Sequence, residues 1–74
     1  WRVLVVEDDA LMREFFSACV ARCPELTLAG AVSSVAEAQK FLDSASGGID
    51  VLLTDLGLPD GSGMQVIRYA RQRC

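Results

Sequence analysis

Two unbroken apolar runs, Val3-Leu4-Val5-Val6 and Val51-Leu52-Leu53-Thr54, each end in acid: Glu7-Asp8-Asp9 follows the first and Asp55 the second. Short runs rich in Val and Leu, without polar alternation, are expected of strands covered on both faces. After the first run, Leu11, Met12, Phe15, Phe16, Cys19 and Val20 recur at helical spacing. They predict a helix capped by Asp8 or Asp9 that runs to about Cys23 and stops at Pro24. Leu26 to Val32 alternates weakly and reads as a second strand. Ser34-Val35-Ala36-Glu37 then has the Ser-x-x-Glu pattern of a capping box, and Val35, Ala38, Leu42 and Ala45 give a second helix its apolar stripe. Gly47-Gly48 supplies the left-handed backbone that commonly closes a helix. Ile49 to Thr54 is the third strand. Gly57-Leu58-Pro59-Asp60-Gly61-Ser62-Gly63 is dense in turn formers and reads as a loop. Met64, Val66, Ile67 and Ala70 mark a third helix capped by Ser62.

The order βαβαβα implies right-handed crossovers and a parallel sheet with helices on both faces. The fold class expected is α/β, a flavodoxin-like doubly wound sheet; its strand order over these three units, 2-1-3, is taken over from known sheets of that type and is not fixed by the pattern itself. No linker, repeat or low-complexity tract interrupts the 74 residues, which make one domain at most. A chain this short buries only about 60% of the surface exposed by its unfolded form, so stability is marginal.

Composition narrows the chemistry. A net charge of −3 argues against general nucleic-acid affinity, and Arg68, Arg71 and Arg73 near the end suit the dipole of a helix C-terminus. No apolar run approaches the roughly 20 residues needed to span a bilayer, and the start at Trp1 shows no signal peptide. The expectation is a cytoplasmic protein that does not bind membranes, and an excised piece of a longer chain. Cys19, Cys23 and Cys74 lack zinc-ligand or disulfide spacing and read as reduced thiols. The absence of histidine removes Ser-His-Asp and Cys-His triads, most zinc sites and any role as the histidine-bearing partner in a phosphorelay.

The acids are the candidate site. In open parallel sheets ligands bind beyond the carboxyl ends of the strands, where strand order reverses. Order 2-1-3 puts that point between strands 1 and 3 and brings Glu7, Asp8 and Asp55 together. Clustered carboxylates repel unless a hard cation neutralises them or their protons are retained. Mg²⁺ is the expected cofactor, because it takes one or two carboxylates and keeps waters and phosphate oxygens as its other ligands. An EF-hand beginning at Asp55 fails, since Gly57, Pro59, Asp60 and Val66 stand at its third, fifth, sixth and twelfth positions. An aspartate beside a bound cation can accept a phosphoryl group, and Asp55 is the candidate nucleophile. Taken singly, Asp8 and Asp9 read as helix caps, Glu7 as a loop residue and Asp55 as a turn starter.

Val3-Leu4-Val5-Val6-Glu7-Asp8-Asp9 and Leu53-Thr54-Asp55-Leu56-Gly57-Leu58-Pro59-Asp60-Gly61-Ser62-Gly63 resemble the signature segments of response-regulator receiver domains. The resemblance covers the whole chain, residues 1–74, as the first three of the family's five βα units. It implies that Asp55 is the phospho-acceptor, Asp8 a direct Mg²⁺ ligand, Glu7 an acid acting through water and Gly57 a backbone-carbonyl ligand. Pro59 and Gly63 match loop-shaping positions, and Asp9 falls one residue beyond the acidic pair. The family also places Ser or Thr after strand 4 and Lys after strand 5. Neither position lies within this sequence, and Lys40, the only lysine, falls in the second helix. Metal binding with impaired phosphorylation and no working switch is therefore expected of these residues alone.

The partner implied is a sensor histidine kinase or phosphotransfer protein. A DNA-binding output domain would lie beyond Cys74, outside this non-enzymatic input module. A phosphatase of the haloacid dehalogenase type also pairs an aspartate nucleophile with Mg²⁺, but needs a second acid where Gly57 stands. A degenerate receiver serving only protein interaction is opposed by the intact acidic trio. An apolar edge on strand 3 and exposure of Phe15, Phe16 and Val20 predict dimerisation or segment exchange.

Overall fold

Val3, Leu4, Val5 and Val6 lose essentially all solvent contact, with 1%, 0%, 0% and 0% of their surface exposed. They form the middle of β1 (Arg2–Val6), the central strand of a three-stranded parallel sheet. The computed structural model describes residues 1–44 and 48–73. Its further elements are α1 (Ala10–Ala21), β2 (Thr27–Val32), α2 (Val35–Ser44), β3 (Val51–Thr54), β4 (Gly57–Leu58), β5 (Gly61–Ser62) and α3 (Gly63–Arg73). The sheet order is β2-β1-β3, the flavodoxin-like α/β arrangement expected from the sequence.

Strand alternation divides the core into two layers. Val3 and Val5 face α1 and pack with Val20, beside Phe16, Leu26 and Val51. Leu4 and Val6 face the other way, joining Val35, Ala38 and Leu42 of α2, Leu58 of β4 and Val66 of α3. Tyr69 ties the two helices of that layer, its hydroxyl donating to Asp43 at 2.7 Å. Among the described residues, no helix is long and apolar enough to cross a membrane.

Element ends depart from the sequence reading in small ways. α1 stops at Ala21 rather than near Cys23, and β2 and β3 begin at Thr27 and Val51. Gly48 has φ of 73°, the left-handed backbone expected there, while Ala45 and Gly47 lie outside the described residues. Val20 is 5% exposed, which corrects its expected exposure. α1 lies along β1 and β2, so Val20 falls onto Val3 and Val5, whereas Phe15 stays 59% exposed.

The 57–63 segment is also more ordered than a plain loop. β4 and β5 pair antiparallel, Gly57 with Ser62 and Leu58 with Gly61, and the Gly63 amide donates to the Leu56 carbonyl at 3.0 Å across the base. Ser62 caps α3 as expected: its Oγ accepts from Met64 N at 3.1 Å. The Gln65 side-chain oxygen Oε1 returns the contact, accepting from Ser62 N at 2.8 Å. That reciprocal pair is a capping box.

Candidate acidic site at the carboxyl ends of β1 and β3

The hydrogen-bond ladder continues one residue past each strand. The Glu7 amide donates to the Val32 carbonyl and the Asp55 amide to the Val6 carbonyl, both at 3.0 Å. Neighbouring strands run about 4.8 Å apart, so this register leaves the first residues beyond β1 and β3 side by side. Glu7, Asp8 and Asp55 accordingly meet, with one carboxylate oxygen from each lying within 4.8 Å of the others.

Their environments differ. Glu7 extends the alternation of Val3 and Val5 onto the α1 face and is only 8% exposed. One of its oxygens accepts from the Asp9 amide at 3.1 Å, and Arg13 donates to its carbonyl at 2.9 Å. Asp8 and Asp55 are exposed. Asp9 turns away to cap α1, accepting from Leu11 N at 2.9 Å and Met12 N at 3.3 Å. Between the two capping candidates, it is therefore Asp9 that starts the helix. A cleft of about 190 Å³ adjoins the acids, lined by Val6, Glu7, Phe16, Leu53, Thr54 and Asp55. Its mouth is acidic and its wall apolar.

The glycines around Asp55 are not equivalent. A Cβ on Gly63 would collide with the Asp55 carbonyl oxygen and sit 3.0 Å from Thr54 Oγ1. Thr54 Oγ1 itself donates to that carbonyl at 2.9 Å, and the Asp55 amide donates to the Val6 carbonyl, so the backbone of Asp55 is held at both its N–H and its C=O. Gly57, the first residue of β4, is open: a Cβ there would meet nothing within 4 Å. Pro59 is exposed in the turn between β4 and β5.

Two contacts escaped the sequence reading. Arg13 reaches the Glu7 carbonyl from one turn into α1, and no local pattern announces it. Asp60 receives the Val35 amide at 2.8 Å and the Ala36 amide at 2.9 Å, so the turn after Asp55 caps the first turn of α2. These bonds hold the Asp60 carboxyl below its ordinary pKa. The local box on α2 is also shifted. Ser34 Oγ accepts from Glu37 N at 3.1 Å, but Glu37 returns to Ser33, accepting from its amide at 2.8 Å and its hydroxyl at 2.6 Å. The Ser33 contacts lower the Glu37 pKa.

As a donor set, three carboxylates with one anchored indoors and two open to water suit a hard, partly hydrated cation such as Mg²⁺. Soft-metal ligands are absent from the cluster, which holds neither thiolate nor imidazole.

Residues 3–74 match the response regulator receiver domain family. The chain is 35% identical over 72 residues to the response regulator protein PilR of Pseudomonas aeruginosa, covering 97% of this chain and 15% of that protein. It is 36% identical over 74 residues to the KDP operon transcriptional regulatory protein KdpE of Escherichia coli, covering 95% and 29%. It is 32% identical over 72 residues to a protein-glutamate methylesterase/protein-glutamine glutaminase of Koribacter versatilis, covering 97% and 19%. The chain thus spans less than a third of the length of each of these relatives. No solved structure matches it significantly. With the family match running from β1 through α3 and the acids gathered at the strand ends, the chain belongs to the response regulator receiver domain family.

Proposed function

We propose that Asp55 accepts a phosphoryl group from the phosphohistidine of a sensor histidine kinase or phosphotransfer protein. Glu7, Asp8, Asp55 and the Gly57 backbone carbonyl are the proposed Mg²⁺ ligands. The observation that carries this reading is the convergence of three carboxylates, drawn from two strands far apart in sequence, within 4.8 Å. Exposure leaves the Asp55 carboxylate within reach of a phosphoryl donor, and the buried, amide-bonded Glu7 gives the cluster a fixed member.

In the transfer, an Asp55 carboxylate oxygen forms a bond to phosphorus as the phosphorus–nitrogen bond breaks, and the donor imidazole keeps the electron pair. The donor histidine belongs to the partner, because this sequence contains none. A bound Mg²⁺ supplies neutralisation of charge among the acids and on the transferring oxygens. The Thr54 hydroxyl and the Val6 carbonyl hold the Asp55 backbone, so the carboxylate is presented from a fixed point.

We read the chain as the first three of five βα units of a cytoplasmic, non-enzymatic input module, with a DNA-binding output domain elsewhere in the parent protein. The KdpE relative is named a transcriptional regulatory protein, which favours that output. The Koribacter relative is named as an enzyme, which favours an enzymatic output as the second reading. The acidic balance of these residues supports placing any DNA contact outside them.

Incubation with Mg²⁺ and acetyl phosphate, followed by intact-mass analysis, tests the acceptor. The expected result is Mg²⁺-dependent, short-lived, substoichiometric addition of one phosphoryl group, abolished in D55N. No modification of the parent, or modification retained in D55N, contradicts the acceptor reading; full, persistent modification contradicts the expected impairment.

A further inference from the structure

We infer that Asp60 is a positioning residue for the acceptor site, a latch that fastens the hairpin after Asp55 to the first turn of α2. This rests on the acceptor reading for its consequence, although the latch itself is a matter of contacts. Both carboxylate oxygens of Asp60 are engaged, one by the Val35 amide at 2.8 Å and the other by the Ala36 amide at 2.9 Å. The contact joins residues 24 and 25 positions apart in sequence, and its acceptor sits in the turn between β4 and β5. Leu58, on the preceding strand, is buried in one cluster with Val35, the first residue of α2. The turn is thus held by a polar and an apolar anchor together.

The other end of the hairpin reaches Asp55. Gly57 pairs with Ser62, and the Gly63 amide closes the base on the Leu56 carbonyl at 3.0 Å. Gly63 lies directly against the Asp55 carbonyl, where even a methyl group would collide. A hairpin with strands of two residues is marginally stable by itself and depends on its anchors. Releasing Asp60 therefore loosens the base, the Gly57 carbonyl and the backbone that presents Asp55. By the same route, a change at the acceptor reaches the α2 N-terminus.

An internal control exists on the same helix. Ser34 caps α2 through Glu37 N at 3.1 Å but belongs to no part of the hairpin. D60A and S34A both remove a cap, and only D60A cuts the latch. In the full chain, amide hydrogen exchange at Asp55 and Gly63, whose donors pair with Val6 and Leu56 carbonyls, reads the loop directly. D60A is expected to accelerate exchange at both by about tenfold while S34A leaves them at the parent rate. D60N, which keeps one acceptor oxygen, falls between, and it decides by the same criterion if D60A does not fold. Titration with Mg²⁺ alone, followed by amide chemical shifts, is expected to show affinity reduced on the order of tenfold in D60A and unchanged in S34A. Equal acceleration in D60A and S34A, or none in D60A, overturns the latch. No saturable Mg²⁺ response in the parent chain overturns the functional reading instead, and the exchange comparison still decides the role of Asp60.

Discussion

Gly57 and Gly63 flank one hairpin and carry opposite demands. Gly63 has no room for a side chain, because a Cβ there meets the Asp55 carbonyl rather than a side chain that could swing away. G63A is expected to destabilise the chain by about 1–3 kcal/mol, the usual range for overpacking against a rigid neighbour, measured by urea unfolding. G57A meets open space and is expected to be neutral or stabilising by about 0.4–1 kcal/mol through the unfolded state. Asp60 and Glu37 each contribute to acid sensitivity. Their carboxyl pKa values are lowered by hydrogen bonds, from ordinary values of 3.8 and 4.5, so each stabilises the fold above its ordinary value. That contribution is lost as pH falls from those values through the lower folded ones. Urea midpoints measured across this acid range should fall less steeply in D60N than in the parent; identical slopes would contradict the assignment. Glu7, Asp8 and Asp55 were legible in the sequence because each follows an apolar run, and a strand end is a place. The burial of Glu7 was not, since it depends on which face α1 covers. Asp60 was hidden by its own setting: Pro59-Asp60-Gly61 satisfies a turn locally, and its true partners arrive only when α2 docks.

Strand and helix positions were readable to within a residue or two because period and punctuation agree along this chain. The apolar run of β1 announced a central strand, and its complete burial between two layers follows. The hairpin of β4 and β5 looks like a loop in the sequence because pairs this short have no hydrophobic period to detect. Likewise, Ser34-x-x-Glu37 was recognised as a cap, but the reciprocal bond moved to Ser33, one residue upstream, where the same glutamate finds both an amide and a hydroxyl. Helix α3 should depend on Val66, which is fully buried against Leu4, Val6 and α2. V66A is expected to cost about 1–3 kcal/mol, a large share of the stability of so small a domain, and calorimetry or urea unfolding measures it. A surface change such as R68A on the same helix should stay within about 0.5 kcal/mol.

Taken as a molecule, the chain hides both faces of β1 completely and leaves other apolar surface in water. Leu11 is 76% exposed, Leu56 61%, Phe15 59% and Leu53 40%, and the outer edge of β3 is unpaired among the described residues. We expect these surfaces to drive self-association, seen as a concentration-dependent mass in analytical ultracentrifugation; a monomer across the accessible concentration range would contradict this. Val20 would not take part, because α1 already buries it. The acidic rim is the opposite case, a polar feature that the fold assembles from distant segments. The most direct test of its purpose is an amide chemical-shift titration with Mg²⁺. Saturable shifts should concentrate at residues 7–9 and 55–57 and vanish in D55N. Shifts that are absent, fail to saturate, or persist unchanged in D55N would show that the three carboxylates do not form a metal site.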